Sequence, residues 1–385
     1  MDPLVLVALA VLAGIIFDLT NGWNDSANAI ATVVSTRVLT PMRALLLSAG
    51  LNFVGALVSV KVARTMGAGV VDLAPRLESV VITLSAMLAA AGWVTWCTKL
   101  GLPVSCSHSL VGGLVGATVF VAGWDSVKTA GLVKILVALL ASPLIGFVLA
   151  YLLVVLATWL AHDLEATPRQ GRRVFGFFQL CSSSFMAFEH GKNDAQKVMG
   201  VIALALFAGG YLKDGQGRVL TNLDQLYIPL WVKVVCATAM AVGTAVGGWR
   251  VIRTLGSRLA KISTLEGFSA ETAGGTVLEV AASLGVPVST THTITGGIIG
   301  VGAAKGARAV RWGIGAKIVW AWVFTLPVCF ALGGTLSWFA ARTSAAWMAA
   351  AVAAVTALTF AAARVRSARA AQEPYPAPKR SAVNA

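Results

Sequence analysis

The 385-residue chain is 57% hydrophobic and only 12% charged, with a mean hydropathy of +0.80. A water-soluble protein carries about twice that share of charge, and apolar runs of roughly 18 or more residues, long enough to cross a bilayer as helices, recur from end to end. This excludes soluble enzymes, secreted disulfide scaffolds and disordered chains, and it places the net charge of +14 in short segments between the runs, where it reads as a topology signal and not as a nucleic-acid surface.

In chain order, Met1-Asp2-Pro3 lacks a basic n-region and leads into an apolar run over 4–34, which predicts a retained first helix. One polar stretch, Asp18 to Asn28, interrupts that run. A second run covers 44–60, a pair punctuated by Pro and Gly follows at 79–98 and 103–122, and another run spans 131–160. After a polar segment with Arg169, Arg172 and Arg173 comes a run at 175–210, interrupted from Glu189 to Lys197. The remaining runs are 226–248, a second punctuated pair at 264–286 and 287–303, then 312–340 and 345–363. Cys97, Cys106, Cys181, Cys236 and Cys329 lie in or beside apolar runs without metal-ligand spacing, so they read as free buried thiols, with no structural metal.

The order repeats. Gly191, Asn193 and Asp194 follow Gly22, Asn24 and Asp25 by 169 residues, while Pro287, Ser289, His292, Gly296 and Gly297 follow Pro103, Ser105, His108, Gly112 and Gly113 by 184. A polar insertion at about 211–224 accounts for the difference. Each repeat holds a broken helix, a second helix, a hairpin that either spans twice or re-enters, and a third helix. It therefore crosses an odd number of times, and its copy is inverted. Inverted repeats with interrupted helices mark secondary transporters. The expected fold is an all-α polytopic membrane protein: repeat one over 1–160, a cytoplasmic connecting loop at 161–174, repeat two over 175–340, a C-terminal helix at 345–363 and a basic disordered tail at 364–385. With the N-terminus outside, the inner segments hold 17 Lys and Arg against 7 in the outer ones, which favours a cytoplasmic tail in a multi-pass cell-membrane protein.

Asp25 and Asp194 stand within apolar runs, where a carboxylate costs on the order of 3 kcal/mol unless it faces a partner or a wet cavity. A polar network between helices is the alternative reading. Two carboxylates in matched Asn-Asp pairs point to a site, with glycine unwinding the helix and Asn24, Asn193 and the aspartates supplying the hard oxygens a cation such as Na⁺ prefers. The proline-led hairpins supply the opposite charge. Ser105 and Ser289 fall at N-cap positions, with the hydroxyls of Ser107, Ser109, Thr290, Thr291 and Thr293 in the first turn. Two such helix starts can hold a tetrahedral oxyanion from both sides. His108 and His292 serve as hydrogen-bond partners of the anion, as a proton relay or as pins for the hairpins. Glu271 and Glu279, with Met87 and Thr95 at the matching offsets, point to a cation or proton site in one half or to a salt bridge with the preceding basic loop.

These motifs resemble those of the inorganic phosphate transporter (PiT) family of sodium- or proton-coupled permeases. The matching residues are 22–29, 188–200, both Pro-Val-Ser-x-x-His segments and 267–271, within about 10–335. The resemblance implies a symporter, not an enzyme, that imports phosphate with Na⁺ or H⁺ as the transported coupling ion and needs no cofactor. It implies that Asp25 and Asp194, with their asparagines, bind cation and phosphate, that the hairpin hydroxyls hold phosphate oxygens, and that Glu271 belongs to the cation site. The family is often dimeric. Cys106 departs from the hydroxyl of many relatives and Met87 from a carboxylate of some sodium-coupled ones, which leaves H⁺ coupling open. Sulfate, carried by some members, and a passive anion channel remain alternatives. Phosphate, unlike sulfate, still carries a proton at neutral pH that a site carboxylate can accept.

Overall fold

Proline and capping side chains set the starts of the long helices. The structure is a computed structural model that describes residues 2–163, 167–343 and 345–370. Asp2 accepts a bond from the Leu4 amide at 2.9 Å and Pro3 opens α1 (Pro3–Ser35). Pro41 opens α2 (Pro41–Val58), which a short α3 (Lys61–Ala68) follows. The first hairpin is α4 (Leu77–Leu100) and α5 (Cys106–Ala122), and α6 (Thr129–Asp163) completes the first half. A Thr167–Gln170 capping box opens α7 (Pro168–Ala208). Then come α8 (Leu230–Val246) and α9 (Trp249–Arg253), the second hairpin of α10 (Thr264–Ser283) and α11 (Thr290–Ala304), α12 (Trp312–Ala340) and α13 (Ala345–Ala370).

Among the described residues, six helices are long and apolar enough to cross a membrane, or seven if α8 and the bent segment after it form one span. The outer faces of α6 and α12 carry exposed Leu140, Leu144, Leu152, Trp320 and Phe324, as a lipid-facing surface requires. The chain is thus a polytopic helical membrane protein. Of the cysteines, Cys97, Cys106, Cys236 and Cys329 are free and buried, whereas Cys181 is exposed. Helix α13 continues to Ala370, into the stretch expected as tail; residues 371–385 lie outside the described residues. The expected connecting loop at 161–174 is helical up to Asp163 and again from Pro168.

The expected helix breaks are absent. Helices α1 and α7 run uninterrupted through Asp18–Asn28 and Glu189–Lys197. Gly22 and Gly191 serve close packing instead: a Cβ on Gly22 would stand 2.3 Å from the Met240 carbonyl oxygen, and one on Gly191 2.1 Å from that of Asn52. Asn24, Asp25, Asn28 and Asp194 each find a hydroxyl partner on a neighbouring helix while the backbone stays helical.

The packing exchanges between the halves. α1 packs on α8 and α4, as α7 packs on α2 and α10; α5 lies against α12, as α11 lies against α6. Each hairpin turns at a left-handed glycine, Gly101 (φ 76°) or Gly285 (φ 67°), two residues before its proline.

Candidate functional site

Both hairpin tips fold as their sequence predicts. Ser105 caps α5 by accepting the His108 amide at 3.1 Å, and Ser289 caps α11 by accepting that of His292 at 3.2 Å. The tips are cross-linked by a reciprocal pair of bonds. Ser107 Oγ donates to the Val288 carbonyl at 3.0 Å, and Thr291 Oγ1 donates to the Val104 carbonyl at 3.1 Å. Behind them the rings of His108 and His292 lie 4.7 Å apart. His292 stacks on Trp322 at 3.8 Å, whose indole donates to the Pro103 carbonyl.

The middles of α1 and α7 meet these tips. Residues one turn apart share a helix face, so α1 offers Asn24, Asp25 and Asn28, and α7 offers Asn193, Asp194 and Lys197, all buried. Thr291 Oγ1 donates to Asp25 Oδ1 at 2.9 Å and Thr290 Oγ1 to Asp194 Oδ2 at 3.0 Å. Asn28 Nδ2 donates to the hydroxyls of Thr290 and Thr291 at 3.2 and 3.0 Å, and Asn24 Nδ2 donates to Thr98 Oγ1 at 2.7 Å. Lys197 Nζ donates to Ser107 Oγ, Asp194 Oδ1 and the Val288 carbonyl at 2.7, 2.6 and 2.6 Å. Among the described residues, Asp25 Oδ2, Asn24 Oδ1, Asn28 Oδ1, His190 Nε2 and both side-chain polar atoms of Asn193 are buried without a hydrogen-bond partner. Donor atoms of Asp25, His190 and Asp194 lie within 4.8 Å of one another, close enough to share a cation.

Several of the sequence candidates stand apart. The Ser109 hydroxyl bonds back to the Ser105 carbonyl at 3.0 Å, within its own helix. Glu271, on α10, forms a second polar cluster around Thr32, which stands seven residues, or about 10 Å, along α1 from Asp25. There it accepts from Thr32, from Ser182 at 2.6 Å and from Gln179 at 3.5 Å. Gln179 in turn accepts from Thr36 at 2.8 Å. Thr36 lines a cavity of about 460 Å³ together with Arg37, Arg172, Arg173 and Thr264, so a polar path connects Glu271 to a basic mouth. Glu279 does not join Glu271; it pairs with Lys192, which also meets Glu189 at 3.4 Å, and not with the basic loop. Met87, matching Glu271, is buried in the apolar core.

Sequence reasoning missed Asn28, His190 and Lys197. The signal for two of them was present, since 28 and 197 differ by the same 169 residues as the Asn-Asp pairs. Chemically, the arrangement joins two carboxylates and amide oxygens, suited to cations, with two helix N-termini whose first N–H groups have no acceptor within the helix, suited to an anion.

A family model described as the phosphate transporter family matches residues 21–333. The chain is 45% identical over 342 residues to the "Probable low-affinity inorganic phosphate transporter" of Rhizobium meliloti strain 1021, covering 88% of this chain and 97% of that one. It is 39% identical over 334 residues to the protein of the same name from Bacillus subtilis strain 168, covering 86% and 96%. A solved structure, "The sodium-dependent phosphate transporter", shares the fold with a TM-score of 0.76 and 24% identity, over 88% of this chain and all of that one.

Proposed function

The chain belongs to the phosphate transporter family, and from that premise we propose that it is a secondary symporter that imports inorganic phosphate by alternating access, driven by a Na⁺ or H⁺ gradient. The observation that carries this reading is the meeting of Asp25 and Asp194 with the N-termini of α5 and α11 in one buried cluster. Because α1 and α7 are continuous, their carbonyls are engaged in the helices. The cation ligands are then side-chain oxygens of Asn24, Asp25, Asn193 and Asp194, with the hairpin-tip carbonyls beside them. Phosphate takes the free first-turn N–H groups of both hairpins and the hydroxyls of Ser107, Thr290 and Thr291. Ser105 and Ser289 act by holding those turns in place, His108 and His292 by pinning the tips. Glu271 forms a second cation or proton station on the way to the basic mouth.

The exchanged helix contacts support two repeats inverted in the membrane, whose hairpins approach the site from opposite sides. The Lys and Arg distribution supports an external N-terminus and a cytoplasmic C-terminal tail. Phosphate is favoured over sulfate by Asp25 Oδ2, which has no protein partner and can accept the proton of hydrogen phosphate.

The test is radiolabelled phosphate uptake into proteoliposomes, with Na⁺ and pH gradients imposed separately and excess sulfate as competitor. Uptake driven by one gradient and indifferent to sulfate is expected; uptake driven by neither overturns the symport reading. Ser105→Ala and Ser289→Ala each remove an N-cap of about 1 kcal/mol. They are expected to raise the half-saturation concentration for phosphate, whereas Ser109→Ala leaves it unchanged. Equal values in the three variants and wild type would remove the hairpin starts from the anion site.

A further inference from the structure

We propose that Lys197 is a tethered cation that takes the place of one of the two coupling ions for which the duplicated site is built, leaving one mobile-cation position, on the α1 side. This rests on the symport reading above. The duplication gives the first support. Lys197 occupies in α7 the position of Asn28 in α1, each three residues after its aspartate, so one half carries a fixed positive charge where the other carries a neutral amide.

The surroundings of the ammonium give the second. Its three N–H bonds go to three oxygens: a carboxylate (Asp194), a hydroxyl (Ser107) and a backbone carbonyl at a hairpin tip (Val288). That is the hard-oxygen set a sodium ion takes. The matching set in the other half is Asp25, Thr291 and the Val104 carbonyl, related by the same offsets of 169 and 184 residues. Among the described residues no fixed cation is bonded to that set. Thr291 Oγ1 lies 2.9 Å from Asp25 Oδ1 and 3.1 Å from the Val104 carbonyl.

The two aspartates differ in the bonding capacity they leave unused. Both Asp194 oxygens are engaged, one by Lys197 and one by Thr290, with His190 Nε2 at 3.7 Å from the second. Among the described residues Asp25 Oδ2 is buried without a hydrogen-bond partner, beside Asn24 Oδ1 and Asn28 Oδ1; on the α7 side His190 Nε2 and the Asn193 amide share that condition, but neither oxygen of Asp194 does. Lys197 is 2% exposed. A buried ammonium is costly without its anion, and its covalent stem keeps it in the site through every turnover, whereas a free ion leaves with the cargo. It thus neutralises Asp194 permanently without drawing on a gradient.

The consequence is a cation-to-phosphate ratio one lower than the two-fold site would otherwise have. The experiment measures that ratio in proteoliposomes by dual-isotope flux of phosphate and Na⁺, or of phosphate with a pH dye if a pH gradient drives uptake. Lys197→Asn, which makes the two halves alike, is expected to raise the ratio by one and to steepen cation activation. Lys197→Arg keeps the fixed charge and the wild-type ratio. Asn28→Lys fills the remaining position and is expected to leave phosphate exchange that no gradient accelerates. An unchanged ratio in Lys197→Asn, or gradient-driven uptake in Asn28→Lys, overturns the inference while leaving the symport reading intact. If Lys197→Asn does not fold, Asn28→Lys decides alone. Wild-type protein that takes up no phosphate under either gradient overturns the symport reading, and this inference with it.

Discussion

Asparagine at either Asp25 or Asp194 is expected to abolish gradient-driven phosphate uptake, but with different consequences for the folded protein. Among the described residues Asp194 is the only carboxylate bonded to Lys197 Nζ, at 2.6 Å, and both groups are nearly inaccessible. Breaking a buried pair by removing one partner costs about 3–5 kcal/mol, because the remaining charge has no counterion. Asp194→Asn should therefore melt well below wild type in detergent. Adding Lys197→Met should restore much of that loss without restoring uptake. Asp25 is held differently. Its Oδ1 accepts from Thr291 and its Oδ2 has no protein partner, so neutralising it strands no cation. Asp25→Asn should melt at or above the wild-type temperature while remaining inactive. Scanning fluorimetry beside uptake in proteoliposomes reads both quantities. Near-normal uptake in both variants would take the aspartates out of the mechanism, and equal melting of the two would contradict the assigned ion pair.

The second large effect is expected at the glycines of the Asn-Asp segments. If Gly22 and Gly191 served to unwind their helices, alanine would merely favour helix, by about 1 kcal/mol. The packing demands the opposite. A methyl on Gly191 would meet the Asn52 carbonyl oxygen at 2.1 Å and its Cα at 2.5 Å, and one on Gly22 would meet the Met240 carbonyl at 2.3 Å and the Thr244 nitrogen at 2.9 Å. These are backbone atoms that no rotamer change can move aside, so α7 must separate from α2, or α1 from α8. Overpacking of this kind costs about 1–3 kcal/mol or more. It would also move the Asn-Asp residues away from the hairpin tips. Gly191→Ala and Gly22→Ala are expected to lose most monodisperse protein on size-exclusion chromatography. Gly50→Ala and Gly92→Ala, whose added methyls meet nothing within 4 Å, should behave as wild type or better. Well-folded, active Gly191→Ala would restore the unwound-helix picture.

How much of the site was legible depended on the kind of interaction. The N-caps at Ser105 and Ser289 could be read directly, since proline, a short hydroxyl residue and an apolar run specify a helix start within a few residues of chain. The matched aspartates were legible because a carboxylate in an apolar run is conspicuous. The state of the backbone around them was not. Asp, Asn and Ser are poor helix formers in isolation, yet α1 and α7 remain helical because Thr98, Thr290 and Thr291, remote in sequence, bond their side chains. Lys197 was passed over for a related reason. A lysine near a polar break reads as a break residue until Ser107 and Val288 are brought to it. Glu279 and Glu271, two turns apart on one helix, went to separate partners because α7 offers Lys192 to one and Gln179 with Ser182 to the other.

The sequence by itself determined the class of the protein, the positions of its long helices and hairpins, and the pairing of its motifs. These follow from hydropathy, capping and repetition, all of which act over a turn or a span of chain. Only the tertiary structure decided that the helices stay unbroken, that the two hairpin tips bond reciprocally to one another, and that one aspartate is bound by a lysine while the other keeps a free oxygen. Those outcomes depend on which groups meet across the bundle. A buried polar atom is satisfied by whatever neighbour the packing delivers, however far away in sequence.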